Sequence, residues 1–432
     1  MMATSAADRA RFVRDQLPPD GLFARQTWRI APEAFPLPPG LITQFEALGP
    51  QLVAFYGACN VLYRHSVQGK QPHWIADYLD AGKPPELAEY SRLRRFKGDL
   101  PRVIRPDVIL NDDHFFITEL DSVPGGMGLT GWLGKVYGEL GDPLVGGPSG
   151  MVDGFSTTFA KPLVVVVSEE SATYRPEMNW LGEQVGFRVV RPEELTQVQA
   201  AATIYRFFEL FDLPNIPNAS GWLQAAARGE VTLTPPVKPQ LEEKMLFAFL
   251  WLEQLRSFWR EQLGDKTLVT LQKVFPYTWI VDPTPLPPHA VIPDLGIHDW
   301  REMGRFSQRQ RELVLKISGF SEHAWGSRGV YVGHDLPAGE WAAAIEEALG
   351  GFAAHPFILQ RFEKSRLFDQ SYFDFDANVL CSFRARVRLC PYYFVNGDAT
   401  TLAGILATVC PADKKILHGM PDAVMSPCRV QP

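Results

Sequence analysis

Chemistry is most legible in one stretch of this chain. It runs Arg102-Val103-Ile104-Arg105-Pro106-Asp107-Val108-Ile109-Leu110, then Asn111 to His114, then Phe115-Phe116-Ile117-Thr118-Glu119-Leu120-Asp121. Two strand-like runs flank a short polar turn, the pattern of a β-hairpin. If Asp107 faces Glu119 across the pair, Arg105 faces Asp121. Alternation then puts those four side chains on one face, and Ile104, Val108, Leu110, Phe116 and Leu120 on the other, toward a core. A slip of one residue would bury the charges. Three carboxylates beside a guanidinium suit hard divalent cations bound with phosphate, because Mg²⁺ takes oxygen ligands from a few carboxylates plus nucleotide phosphates. An arginine there can carry charge that develops on a transferred phosphoryl group. A solvated sheet face with a cross-strand ion pair has the same spacing, and the residues alone leave both readings open.

The elements that must position this hairpin are punctuated mainly by proline. After Pro36-Leu37-Pro38-Pro39-Gly40, a helix is predicted over about Leu41 to Gln68, with Leu41, Phe45, Leu48, Leu52, Phe55 and Leu62 at helical spacing. Gly146-Gly147-Pro148-Ser149-Gly150 reads as a linker. Strand Leu163 to Val167, helix Arg175 to Val185 and strand Phe187 to Val190 then suggest a Rossmann-like layer. Thr234-Pro235-Pro236 precedes a long apolar helix expected from about Leu241 to Leu263. In the last third, strand Leu313 to Ile317 and strand Val330 to Val332 bracket a glycine-containing loop, Ser318 to Gly329. Helix Ala338 to Leu349 and strand Pro356 to Gln360 follow. The loop joins strand to strand and lacks Gly-Lys-Ser/Thr, so it is not a Walker motif.

The hairpin resembles that of the circularly permuted ATP-grasp enzymes, of which glutathionylspermidine synthetase is the best-known type. That family carries Arg-x-Asp, eleven residues, then Glu-x-Asn, whose acids and amide bind two Mg²⁺ ions. Here the pattern is Arg105-Pro106-Asp107, eleven residues, Glu119-Leu120-Asp121, with aspartate where the family has asparagine. The permuted order matches too, since the hairpin precedes the nucleotide lid. The resemblance implies an α/β (α+β) chain with a circularly permuted ATP-grasp fold and a Rossmann-like pre-ATP-grasp layer. It divides into a hairpin-bearing segment at 1–155, the Rossmann-like domain at 156–235, and lid plus remaining core at 236–432.

The same resemblance implies site roles. Asp107, Glu119 and Asp121 would hold the metal, and Arg105 and Lys316 would act in catalysis. Lys244, Lys316, Ser318, Gly319, Gly326, Arg328, Gly329 and Gln360 would bind ATP, with Gln360 on the strand that meets adenine. Arg384, Arg386 and Arg388 alternate on a late strand and could meet phosphate or a substrate carboxylate. The bland alternatives are a surface strand lysine for Lys316, a solvated helix turn for Lys244, and a polar strand end for Gln360. The implied reaction is ligation of a small-molecule or peptide carboxylate to an amine through an acyl phosphate. A phosphotransferase using the same ATP site, or a non-catalytic nucleotide-binding scaffold, are the alternatives.

Other patterns point elsewhere and are set aside. Gly126-Met127-Gly128-Leu129-Thr130-Gly131 matches a dinucleotide fingerprint, but Glu119 and Asp121 before it would repel a pyrophosphate. The nine histidines lack zinc spacing, Cys-x-x-Cys is absent, and so is a Gly-x-Ser-x-Gly elbow. Of 432 residues, 46% are apolar and 21% charged, enough to build a sizeable core. Acids outnumber bases 49 to 42, for a formal charge of −7, which disfavours nucleic acid and anionic membrane as partners. Five cysteines, an odd number, do not make a disulfide framework. With no apolar leader and no long apolar run, a cytoplasmic protein is expected.

Overall fold

Residues 5–18, 27–324, 328–414, 416–418 and 421–431 are described by the computed structural model. The chain divides into two units. One comprises Met1–Val53, Asp99–Pro236 and Lys364–Pro432; the other comprises Ala54–Gly98 and Val237–Glu363.

In the first unit, the predicted hairpin forms from strands Val103–Leu110 and Phe115–Asp121. Arg105 pairs with Asp121 and Asp107 with Glu119, the register that alternation of charge and apolar residues demands. One detail departs from simple alternation. The register shifts after Asp107, so that Val108 pairs with Ile117 and Thr118 has no opposite residue. This bulge re-aims the outer half of the second strand, so that Phe115 and Ile117 enter the core instead of Phe116, while Leu120, expected in the core and lying opposite Pro106 on the unshifted side, is only half-buried. The hairpin edges a mixed sheet whose long strands Val379–Asn396, Ala399–Pro411 and Val424–Val430 run antiparallel in succession, the first of them antiparallel to the hairpin strand Val103–Leu110. Strand Phe35–Leu37 closes the far edge in parallel.

A second sheet in this unit has four strands, Arg188–Val190, Leu163–Val167, Thr203–Phe207 and Thr232–Thr234, all parallel in that order. Its central strand is the apolar run Leu163 to Val167, buried on both faces as parallel strands usually are. Helix Arg175–Val185 follows it and ends at Gly186, whose φ of +83° is the left-handed cap that glycine supplies. The segment expected as a linker ends in a helix of its own, Gly150–Thr158. Phe155, Tyr205 and Phe394 join helix and both sheets into one apolar core.

The second unit holds an antiparallel four-stranded sheet in the order Val330–Val332, Leu313–Ile317, Phe357–Arg361, Thr278–Ile280. Leu313, Leu315, Ile317, Phe357 and Leu359 pack with the buried stripe Trp341, Ala344, Ile345, Ala348 and Leu349 of helix Ala338–Gly351. That stripe follows helical periodicity, so burial of one face specifies the helix. The opposite sheet face carries Lys316, Gln360 and Thr278. The continuous helix expected from Leu241 to Leu263 is instead broken into a short turn, helix Met245–Phe249, a second turn, and helix Arg256–Val274. The last of these is kinked at Gly264, with φ +73° and ψ 158°. An unbroken apolar run hid these breaks from periodicity. Helix Pro39–Val67 matches its expectation to within two residues at each end.

Candidate active site

In the first unit, the hairpin charges form a closed ion-pair cluster. All three nitrogens of Arg105 are engaged: Nε donates to Asp107 Oδ1 at 3.1 Å, Nη1 to the Gly125 carbonyl at 3.0 Å, and Nη2 pairs with Asp121 Oδ2 at 3.0 Å. Asp107 is met from the neighbouring strand Val379–Asn396, where Arg388 donates to Oδ2 at 3.0 Å and the Cys390 thiol to Oδ1 at 3.5 Å. Tyr392, two residues on along the strand, donates to the Gly125 carbonyl at 2.7 Å. Asp121 Oδ1 accepts from the Val123 amide at 2.8 Å.

Burial works against ionising Asp107, but Arg105 and Arg388 outweigh it and hold its pKa below the ordinary carboxylate value. For Asp121 the balance goes the other way. Burial, with Glu119 and Asp107 adding repulsion, outweighs Arg105 and raises its pKa. Burial also pushes the Cys390 thiol up to about 12, so it stays protonated and donates to Asp107.

The carboxylates differ in how well they fit a cation. Among the described residues, no group of three His, Cys, Asp or Glu side chains is disposed to hold a metal ion. Asp107, with its side chain 8% exposed, has both oxygens taken by protein donors. Asp121 has one donor on each oxygen, Arg105 and the Val123 amide, but is more open at 23%, and Glu119 is half-buried. Two carboxylates completed by nucleotide phosphates are a normal setting for Mg²⁺, and Glu119 with Asp121 fits that case.

In the second unit, Lys316 is 9% exposed and donates to Gln360 Oε1 at 2.9 Å. Gln360 in turn donates to Thr278 Oγ1 at 3.2 Å, so three adjacent strands contribute one polar row. Lys316 and Gln360 are therefore brought together. Ser318, at the end of the Lys316 strand, is wholly buried. Its hydroxyl donates to Glu243 and accepts from the Met245 amide at 2.9 Å. Glu243 also pairs with Lys83, both side chains being almost fully buried. Lys244 begins helix Met245–Phe249, and its Nζ donates to the Ala324 carbonyl at 2.8 Å, inside the predicted loop. Arg328 is exposed and Gly329 half-buried, while Gly326 lies outside the described residues.

Of the late-strand arginines, Arg384 pairs with Asp369 in solvent and Arg386 is tied to Ser365 and the Ala412 carbonyl. Arg388 alone reaches the acidic cluster. Sequence reasoning did not single it out, and alternation gave no means of choosing among the three. It missed Lys83, Glu243 and Glu177 entirely, since their partners are distant in sequence.

No protein-family model matches this sequence, and no curated protein sequence does. Among solved structures, a glutathione synthetase-like effector from Globodera pallida matches with a TM-score of 0.57 at 11% identity. The match covers 98% of this chain and 97% of that one. This chain has a glutathione synthetase-like fold. A protein assigned as a gamma-glutamylcysteine synthetase from Methylobacillus flagellatus matches at 12% identity, a TM-score of 0.38, and 83% and 87% coverage. Within the glutathione synthetase-like fold, the acidic cluster belongs to the sheet of the first unit and the Lys316 row to the sheet of the second. Among the described residues, no helix is long and apolar enough to cross a membrane.

Proposed function

We propose that this chain is an ATP-dependent ligase that joins a carboxylate to an amine. The observation that carries the reading is the hairpin register, Arg105 opposite Asp121 and Asp107 opposite Glu119, in a chain similar in fold along nearly its whole length to a glutathione synthetase-like protein. The order of hairpin before Lys316 strand supports the circularly permuted ATP-grasp reading, and the four-stranded parallel sheet supports the Rossmann-like layer.

In this reading Lys316, with Gln360 holding its amine, places positive charge at the nucleotide phosphates. Lys244, Ser318, Gly319, Arg328 and Gly329 belong to the same nucleotide site. A substrate carboxylate oxygen attacks the γ-phosphorus, the bond to the bridging oxygen breaks, and ADP leaves with an acyl phosphate formed. An amine then attacks the acyl carbon, inorganic phosphate departs, and the amine nitrogen loses a proton. Arg105 stabilises charge on the moving phosphoryl group. Mg²⁺ accompanying ATP supplies Lewis-acid charge when bound, and Glu119 and Asp121 are the residues that would hold it. No side-chain nucleophile is required.

The test is ADP release by the purified chain with ATP, Mg²⁺ and pooled amino acids, peptides and polyamines, followed by product analysis. ADP, inorganic phosphate and a new amide support the ligase. ADP with a phosphorylated acceptor makes it a phosphotransferase instead. The engagement of both Asp107 oxygens by arginines favours one further reading, a nucleotide-binding scaffold. Tight Mg-ATP binding with no acceptor-dependent ADP release would establish that one.

A further inference from the structure

The sequence makes Asp107 an equal member of a three-carboxylate set, but among the described residues it is the carboxylate that two arginines share. Its oxygens accept from Arg105 at 3.1 Å, Arg388 at 3.0 Å and Cys390 at 3.5 Å, and it is the least exposed of the three carboxylates. Arg388 depends on it in turn. Among the described residues, Asp107 is the one hydrogen-bond partner of the Arg388 guanidinium, whose Nε is buried and unpaired. Three of the roughly four acceptor positions on its two oxygens are filled by protein donors, so a cation ligated there would crowd or displace a guanidinium. Displacing Arg388 would leave its guanidinium without a counter-ion beside an incoming dication, the cost of stripping a partner from a buried charge, while Arg105 would keep Asp121.

We infer that Asp107 is a positioning residue: it holds Arg105 and Arg388 side by side and does not ligate a metal. Arg388 thereby enters the site as a second guanidinium fixed by the same carboxylate. Arg105 is kept in place from both ends, by Asp107 at Nε and by Asp121 and the Gly125 carbonyl at its two terminal nitrogens. The nucleotide arm of the test rests on the ligase reading; the stability arm does not.

The nucleotide arm is titration of a non-hydrolysable ATP analogue by calorimetry at increasing Mg²⁺. Asp107→Asn should leave the Mg²⁺ concentration for half-maximal binding within about twofold of wild type, whereas loss of an anionic oxygen ligand shifts it well beyond that. Arg388→Gln provides a control that keeps the carboxylate. It should also leave the midpoint unchanged, whereas a ligand freed of an arginine would bind Mg²⁺ more tightly. A large midpoint shift in Asp107→Asn, or tightening in Arg388→Gln, overturns the inference. The stability arm needs no nucleotide. In chemical denaturation, the double variant Asp107→Asn/Arg388→Gln should lose less than the two single losses added together, because removing one partner has already forfeited the pair. Strict additivity would overturn the inference even if the chain binds no nucleotide at all.

Discussion

The carboxyl group of Glu177 accepts hydrogen bonds from the Gly126 amide at 2.7 Å and the Leu129 amide at 3.0 Å. Helix Met127–Glu139 therefore begins on an acid supplied by helix Arg175–Val185. A helix N-terminus leaves amides unsatisfied, and here the protein provides the acceptor itself. The glycine series that imitates a dinucleotide fingerprint serves this contact. Gly126 sits at φ +85°, and a Cβ on Gly128 would lie 2.0 Å from the Glu177 carbonyl oxygen. The end of the helix that would cradle a pyrophosphate is filled by Glu177 and the backbone of its helix.

Burial raises the Glu177 pKa to about 7 from an ordinary 4.5, against the lowering effect of the amides it accepts from and of Arg105. A folded pKa above the unfolded one means stability that is full below pH 4.5 and lost as pH rises toward 7. The loss should be about 3 kcal/mol in total, at 1.36 kcal/mol per pH unit of difference. Chemical denaturation of Glu177→Gln across pH 4 to 8 should show this part of the slope abolished. An unchanged slope would place the titration elsewhere.

Gly128→Ala should destabilise the first unit by roughly 3 kcal/mol, because its Cβ meets backbone that cannot rotate away. Gly40→Ala meets nothing within 4 Å, at a backbone angle any residue adopts. It should change stability by no more than about 0.5 kcal/mol. Equal effects in thermal melts would mean that helix Arg175–Val185 can retreat without cost.

Lys83 and Glu243 make a buried pair to which Ser318 is joined. Lys83→Met removes one partner and leaves the other charge buried, so a loss of about 3 to 5 kcal/mol is expected. The exposed pair Arg384–Asp369 should lose at most about 1 kcal/mol on Arg384→Gln. A Lys83 variant as stable as wild type would show that Glu243 finds another donor.

Lys316→Ala should lower ADP formation about a hundredfold, the scale on which a charge-stabilising donor is lost, at a stability cost of about 1 to 3 kcal/mol because the buried Gln360 oxygen loses this donor. The same variant should weaken binding of a non-hydrolysable ATP analogue. Full turnover would leave Lys316 a strand lysine held by Gln360 and nothing more.

Glu119→Gln should raise the Mg²⁺ requirement of analogue binding by about tenfold, since it removes a hard anionic oxygen with little change of volume. Wild-type Mg²⁺ dependence would remove Glu119 from the metal assignment.

The hairpin register, the strand Leu313–Ile317 and the helix that begins at Ala338 were legible in the chain because each is a local matter. Alternation with period two, or apolar spacing near 3.6, assigns a face from neighbours alone. The bulge at Thr118 was not legible, since it depends on how both strands meet a core they do not themselves define. Nor was the choice of Arg388 among three alternating arginines: its partner, Asp107, lies 281 residues away. Lys83 meets Glu243 across 160 residues, and Glu177 meets the glycine turn across 51. Burial then turns such encounters into commitments, because a charge removed from water must keep whatever partner the fold brings to it. Residue types and spacing marked which groups could do chemistry. Tertiary packing decided which of them were already bound to one another.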